Sequence, residues 1–336
     1  MSSPSLETIG DGAYAYLQRG GWGFSNAGLV TSEGASLLVD TLYDLRLTRE
    51  MLATMRRATD AASEIDVVVN THANGDHCWG NQALPGATIV SSRATAEEMT
   101  ELPPKLMNAL VRAARAIAAG GPLARWPLSI LGRLGIARAR ALADAAPFIV
   151  DAFGAFDFGN VSLRAPTQSF EGELVLTVGS KEVRLLQVGP AHTRGDTIVY
   201  VPADRIVFTG DVLFIGSHPI MWEGPIRNWI HACDVLLGLD VDVVVPGHGP
   251  LTDKSGVQAT RDYWVALDRA VKAGYAAGAS TEEIAHSLLA GDVLAESERM
   301  VVNVDTALRE LAREQGHRDP LVLLAKMARF KGRRQP

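Results

Sequence analysis

A chain of 336 residues with 47% hydrophobic and 21% charged residues can bury a large core, which excludes disorder, a fibre and a repeat array. The formal charge of -6 leaves no whole-chain basic footprint for nucleic acid. Two cysteines, Cys78 and Cys233, cannot make a disulfide framework. With no basic-then-apolar leader at the start and no apolar run of membrane-spanning length, the expectation is a cytoplasmic protein without a membrane partner.

In chain order, Leu37-Leu38-Val39 reads as a buried strand ending in Asp40, and Leu47, Met51 and Met55 recur at helical spacing. Residues 65–70 form a strand that runs directly into Thr71-His72-Ala73-Asn74-Gly75-Asp76-His77, and a further strand covers 87–91. From about 95 to 147 the texture turns to alanine, leucine and arginine, predicting two or three helices. Seven basic residues against two acidic ones between 101 and 150 give this stretch a local charge of +5. Strand patterning returns at 174–178, 182–188, 197–201, 205–209 and 241–245. The chain beyond 256 reads as helical, with a capping box at Ser280-Thr281-Glu282-Glu283, and residues 331–336 read as a frayed tail.

Four of the eight histidines lie just after a strand beside glycine, aspartate or both. They are His72 and His77, His192 in Gly189-Pro190-Ala191-His192-Thr193-Arg194-Gly195-Asp196, and His248 in Gly247-His248-Gly249. With Asp76 and Asp211 they make a set of imidazoles and carboxylates suited to zinc, iron or manganese. His72, Asp76 and His77 cannot converge from a regular strand or helix, but they can from a glycine-containing loop at a strand end. Any one of these histidines alone reads as structural; four strand-end segments together do not.

In these residues the chain resembles the metallo-β-lactamase superfamily. Its His-x-His-x-Asp-His motif aligns with His72, Asn74, Asp76 and His77, and its later ligands align with His192, Asp211 and His248. Ser25-Asn26-Ala27-Gly28-Leu29-Val30 and Leu38-Val39-Asp40-Thr41 resemble its opening strands. The resemblance covers roughly 8–95 and 160–255, and implies a four-layer αββα sandwich with a metal site at one sheet edge. It implies one ion on His72, Asn74 and His192, a second on Asp76, His77 and His248, and Asp211 between them. A metal-activated hydroxide would then be the nucleophile. Asp76 could relay a proton to the leaving group. Asp40 and Thr71 are candidates to orient ligating imidazoles through their other ring nitrogen, with a strand-end turn bond as the alternative.

Asn74 departs from the family's histidine. Its carbonyl oxygen is a poorer zinc donor than an imidazole. Asn74 ligates through oxygen and shifts the site toward iron or manganese, or leaves a single zinc on the other side, or bonds substrate; these readings stay open. In the related flavodiiron proteins a carboxylate occupies this position, so an oxygen donor fits there. His218, on a loop close after Asp211, is a candidate for touching substrate, and otherwise an exposed loop residue. Trp79 and Trp222 are candidate pocket walls with core packing as the alternative.

The expected organisation is one catalytic unit over 1–255, with a helical lid at about 96–150, and a C-terminal helical region over 256–336 packed on it. The lid's charge, with Arg112, Arg115, Arg125 and Trp126, points to a small, acidic, largely apolar substrate; a solvated basic face is the alternative. The leading function is hydrolysis of an ester, lactone, thioester or amide with one or two Zn2+. An iron-dependent oxidoreductase or metal-dependent lyase follows from Asn74. A secreted β-lactamase, a nuclease and a non-catalytic metal-holding protein are less well supported.

Overall fold

The computed structural model describes residues 3–121, 137–314, 316 and 319–334. Arg125 and Trp126 lie outside the described residues. Among the described residues, twelve strands build two facing sheets. The first contains β1 (Ser5–Gly10), β2 (Ala13–Leu17), β3 (Ala27–Ser32), β4 (Ala35–Val39), β5 (Val67–Val69), β6 (Thr88–Ser92) and β7 (Gln168–Phe170), paired in that order. The second runs β12 (Val243–Val245), β11 (Ile206–Phe208), β10 (Thr197–Val201), β9 (Lys181–Gln187), β8 (Glu173–Val178). β4 through β7 are parallel, as are β11 and β12, while the remaining neighbours are antiparallel.

The continuous apolar runs of these strands reflect burial on both faces. Val30, Leu37, Val39, Val69 and Val90 point inward and meet Val183, Leu185, Val199, Val201, Phe208 and Val245 from the other sheet. Their neighbours Leu29, Leu38, Val68 and Ile89, and Ile198, Val207 and Val244 opposite, turn outward beneath helices, as the two-residue period requires. The layers approach tightly at Gly28, where a Cβ would lie 2.1 Å from the Phe208 ring.

Helix α1 (Leu45–Ala58) buries Met51, Leu52 and Met55 and begins at Asp44, whose side chain accepts from the Leu47 N–H. The short helix α2 (Gly75–Cys78) carries two of the site residues, and α3 (Arg93–Glu98) follows β6. Two long helices, α4 (Pro104–Ala119) and α5 (Ala137–Phe153), flank the undescribed segment. Trp229 of α6 (Ile226–Gly238) and Trp264 of α7 (Lys254–Ala276) lie with ring centroids 4.2 Å apart. Then come α8 (Thr281–Leu288), with the predicted capping box in place, α9 (Met300–Leu311) and α10 (Pro320–Arg334).

Residues 331–334, expected to fray, are the last turn of α10. Lys331 pairs with Asp151 at 3.2 Å and Arg329 with Asp144 at 2.9 Å, so α10 lies along α5. Exposed ion pairs of this kind contribute little, about 1 kcal/mol or less each. The attachment comes from Phe148 and Ile149 packing in one apolar cluster with Leu324, Met327 and Phe330. Among the described residues, no helix is long and apolar enough to cross a membrane.

Candidate metal centre

Every candidate ligand leaves the sandwich at one edge. Asp40 follows β4, the His72–His77 loop follows β5, His192 precedes β10, and Asp211 and His248 follow β11 and β12. Two glycines let these loops crowd together. A Cβ at Gly247 would lie 2.0 Å from Asp211 Oδ1, and one at Gly210 would lie 2.5 Å from Thr71 Oγ1. Gly210 also has φ near +49°, a conformation glycine adopts without strain.

The four imidazoles share one arrangement. His72 Nδ1 donates to Thr71 Oγ1 at 2.9 Å, because that hydroxyl's own hydrogen goes to Asp40 at 2.7 Å. His77 Nδ1 donates to Asp40 Oδ2 at 2.9 Å, His192 Nδ1 to the Ile220 carbonyl at 2.6 Å, and His248 Nδ1 to the Phe24 carbonyl at 3.0 Å. Carboxylates and carbonyls only accept, so a hydrogen sits on Nδ1 and each Nε2 is turned to the interior. Around Asp211 these Nε2 atoms lie at 3.7 Å (His72), 3.1 Å (His77), 3.3 Å (His192) and 3.3 Å (His248). Asp76 Oδ2 completes the group, 3.5 Å from His248 Nε2.

The residues fit a metal. His72 Nε2 and Asp211 Oδ1 are buried and make no hydrogen bond, a state that costs about 1–3 kcal/mol per atom unless another partner is supplied. His72, His192 and Asp211 form one set of donors within 4.8 Å of one another, and Asp76, His77 and His248 form another. Asp40 meets the same distance criterion with His72 and His77, but its oxygens are already committed to Thr71 and His77. It orients the imidazoles, as Thr71 does.

The charges point the same way. Burial and the neighbouring His77 push His72 well below the usual imidazole range, and burial lowers His192 too, so both offer lone pairs. Burial also opposes charge on His77, but Asp211, Asp40 and Asp76 overcome it and raise His77 well above that range. Burial would raise Asp211; the surrounding His248, His77, His72 and His192 instead hold it well below the usual carboxylate range. The balance of charges in the cluster favours a cation, and metal binding there would be coupled to loss of protons.

Asn74 sits at the start of α2, half-buried, with its amide nitrogen 2.9 Å from His192 Nε2. It faces the His72–His192 side, where the family's histidine was expected. Ser25 Oγ donates to the Asp76 carbonyl at 2.5 Å, and Asn70 and Thr41 both donate to the His77 carbonyl, fixing the loop between them.

Other expected residues lie apart from the donors. His218 is neither exposed nor turned to the cluster: it is buried, with Nδ1 3.2 Å from the Tyr263 hydroxyl and Nε2 2.5 Å from Asp292. Both ring nitrogens are thereby occupied by residues of the C-terminal region. Trp79 is buried against Tyr43 and Phe158, the packing alternative. Trp222 stays beside His192 through its backbone N–H, 3.2 Å from the His192 carbonyl. Arg112 and Arg115 are exposed on α4, and Arg115 donates to the Gly154 carbonyl at 2.6 Å. The Phe24 and Ile220 carbonyls carried no sequence signal, since every residue has one. Phe214, stacked on His248 with centroids 4.9 Å apart and planes at 5°, was likewise missed.

Residues 20–248 match the model of the metallo-beta-lactamase superfamily. A curated relative, the 2,4-dinitroanisole O-demethylase subunit alpha of Nocardioides sp. (strain JS1661), is 32% identical over 100 residues, spanning 29% of this chain and 30% of that protein's length. Among solved structures, a metallo-beta-lactamase from Pontibacter korlensis aligns with TM-score 0.53 and 17% identity over 78% of this chain and 99% of its own. A stereoselective inverting sec-alkylsulfatase from Pseudomonas sp. aligns with TM-score 0.63 and 15% identity, covering 91% of this chain and 50% of its own. At these identities the structural likeness speaks for the fold, and the family match spans the whole constellation from Asp40 to His248. The chain belongs to the metallo-beta-lactamase superfamily.

Proposed function

We propose that this chain is a metal-dependent hydrolase of a small-molecule ester, lactone, thioester or amide. The observation that carries the reading is the convergence of four Nε2 atoms on Asp211, with His72 Nε2 and Asp211 Oδ1 buried and without a hydrogen bond. His72 and His192 would hold one ion, Asp76, His77 and His248 a second, with Asp211 able to reach both. A bound divalent ion supplies Lewis acidity and brings the pKa of water toward about 7.

The protein's own residues do the rest. Asp40 and Thr71 hold His77 and His72 in the tautomer that presents Nε2. Asp76 keeps 13% of its side chain exposed against 3% for Asp211, so it is the carboxylate placed to take a proton from, or return one to, a reacting molecule. Its carbonyl is pinned by Ser25, which limits drift of that carboxylate.

The substrate we propose is small and largely apolar, with an acidic group. The apolar part rests on the leucines, isoleucines and Trp126 interleaved with the charge of 96–150 in the sequence. The acidic part rests on the local charge of 101–150, and unchanged turnover of an anionic substrate by an R112A/R115A/R125A variant removes it. Relatives named as an alkylsulfatase and an O-demethylase add sulfate esters and aryl methyl ethers to the panel worth assaying.

A second reading, an iron-dependent oxidoreductase or metal-dependent lyase, draws on Asn74, whose amide takes the place of an imidazole beside His192. Metal analysis of purified protein, followed by the substrate panel with zinc and with iron, separates the two. Zinc-supported release of an acid or alcohol, abolished by D76N, is the expected outcome. Iron-dependent, colour-linked turnover with no hydrolytic product would overturn the hydrolase.

A further inference from the structure

We propose that Arg299, in the C-terminal region outside the family match, is the positioning residue for His248. The inference rests on the metal-centre reading and adds a residue to it. Two things orient the His248 ring. Its Nδ1 is held by the Phe24 carbonyl at 3.0 Å, and its face is covered by Phe214, coplanar to within 5°. Phe24 belongs to the loop between β2 and β3, and Phe214 to the segment after Asp211. Backbone bonds tie both segments to the His248 turn, Ile215 N to the His248 carbonyl at 3.0 Å and Asn26 N to the Gly247 carbonyl at 2.7 Å, which leaves the placement of the aromatic side chains to be fixed from elsewhere.

Arg299 meets both. Its guanidinium carbon lies 4.3 Å from the ring centroid of Trp22, two residues before Phe24, and 5.1 Å from that of Phe214. One terminal nitrogen donates to the His218 carbonyl at 2.8 Å, tying down the far end of the Phe214 segment, and the other pairs with Glu296 at 2.7 Å. The neighbouring Glu298 accepts from Trp22 Nε1 at 3.0 Å, so the indole is gripped at its face and its edge. Two backbone bonds join the same partners, His218 N to the Ala295 carbonyl and Ala295 N to the Gly216 carbonyl.

Arg299 is 3% exposed. A buried guanidinium is costly to keep, and planar, five-donor geometry is what lets it stack and hydrogen-bond at once. Lysine can keep the cation near the rings but cannot reach His218 and Glu296 together. The arrangement gives the C-terminal region a direct grip on both sides of one metal ligand.

The test is zinc affinity of the full chain, measured by competition with a chromophoric chelator, for R299M, R299K and a control, M327A. Met327 is fully buried in α10, so M327A destabilises the C-terminal region while leaving the Arg299 guanidinium in place. Removing a partner that orients a ligand typically weakens metal binding about 10–100-fold. R299M is expected to show that loss, R299K a smaller one, and M327A wild-type affinity despite a lower Tm. F214L guards against misfolding of R299M: it should lose affinity similarly, and adding R299K to it should cost little more. Wild-type zinc affinity in R299M, or an equal loss in M327A, would overturn the role of Arg299. A wild-type chain that binds no zinc would overturn the metal centre itself.

Discussion

The two sides of the donor cluster are built differently. On one side stand His72 and His192, two imidazoles whose burial keeps them neutral, with Asn74 turned toward His192 Nε2. On the other stand His77, His248 and the additional carboxylate of Asp76, with Asp40 behind His77. Asp211 serves both. The second side offers more negative charge and the better-braced imidazole. An ion should therefore settle first beside His248, and the His192 side should be the weaker and more replaceable position.

The largest effect should come from the residue the two sides share. D211N removes the only carboxylate common to both and is expected to strip both positions. Loss of a metal's several kcal/mol of transition-state stabilisation corresponds to about 10³-fold in turnover. Zinc content and turnover, measured together, check it; a variant retaining one tight zinc would show that the sides are independent. Next in size is the asymmetry. H248A should abolish tight zinc binding, whereas H192A should leave one tight ion per chain and remove the weaker one. Equal losses would break the comparison. D40N should then weaken zinc about 10–100-fold, because His77 loses its acceptor and Thr71 its anchor. Wild-type affinity in D40N would make Asp40 a turn residue only.

N74H is expected to act in the opposite direction. An imidazole at Asn74 would add a third nitrogen donor to the His192 side and raise zinc affinity there by about tenfold, a gain of ~1.4 kcal/mol. Two ions of nearly equal affinity in N74H, against one tight and one weak in the wild type, is the pattern to look for by chelator titration. Unchanged affinity would place the asymmetry elsewhere in the donor set.

Much of this site was legible because its ligands announce themselves locally. Asp76, His77, Asp211 and His248 each sit beside a glycine or an acid, His72 and His192 lie within three residues of a glycine, and strands end close to where such residues gather. What holds the ligands was only half legible. Asp40 and Thr71 carry side chains with an evident purpose, but the Phe24 and Ile220 carbonyls do not. His218 lies close to Asp211 in sequence, yet its partners Tyr263 and Asp292 come from a distant helix and a distant loop, and nothing local foretells them. Part of the lid's basic excess likewise meets partners that lie far away in the chain. Arg138 pairs with Asp319 at 2.5 Å, and Asp144 with both Arg140 and Arg329, so part of that charge is spent within the helical layer. β7 escaped notice because its three residues, Gln168–Phe170, become a strand only by pairing with β6 across the whole lid.

The smallest effect concerns the turns that carry His192 and His248. The His248 turn is held by an uncharged side chain: the Asn26 amide donates to the carbonyls of Pro246 and Gly249 at 3.0 and 2.8 Å. The His192 turn is held by Asp196, which accepts from the N–H and hydroxyl of Thr193. Burial pushes the Asp196 carboxyl up to about 7, against the hydrogen bonds that favour its charge. The unfolded chain loses this proton near the ordinary aspartate value of 3.8, so the folded chain holds the extra proton between that pH and about 7. The stabilisation is present below the unfolded pKa and is lost as pH rises through the folded one. The slope is at most about 1.4 kcal/mol per pH unit, or a few degrees in Tm for a chain of this size. Chelator-treated wild type should thus lose Tm between pH 5 and 7 relative to D196N, while N26A should shift Tm equally at both. Parallel pH profiles for wild type and D196N would show that the His192 turn is no more pH-sensitive than its counterpart, leaving Asn74 as the source of the difference between the two sides.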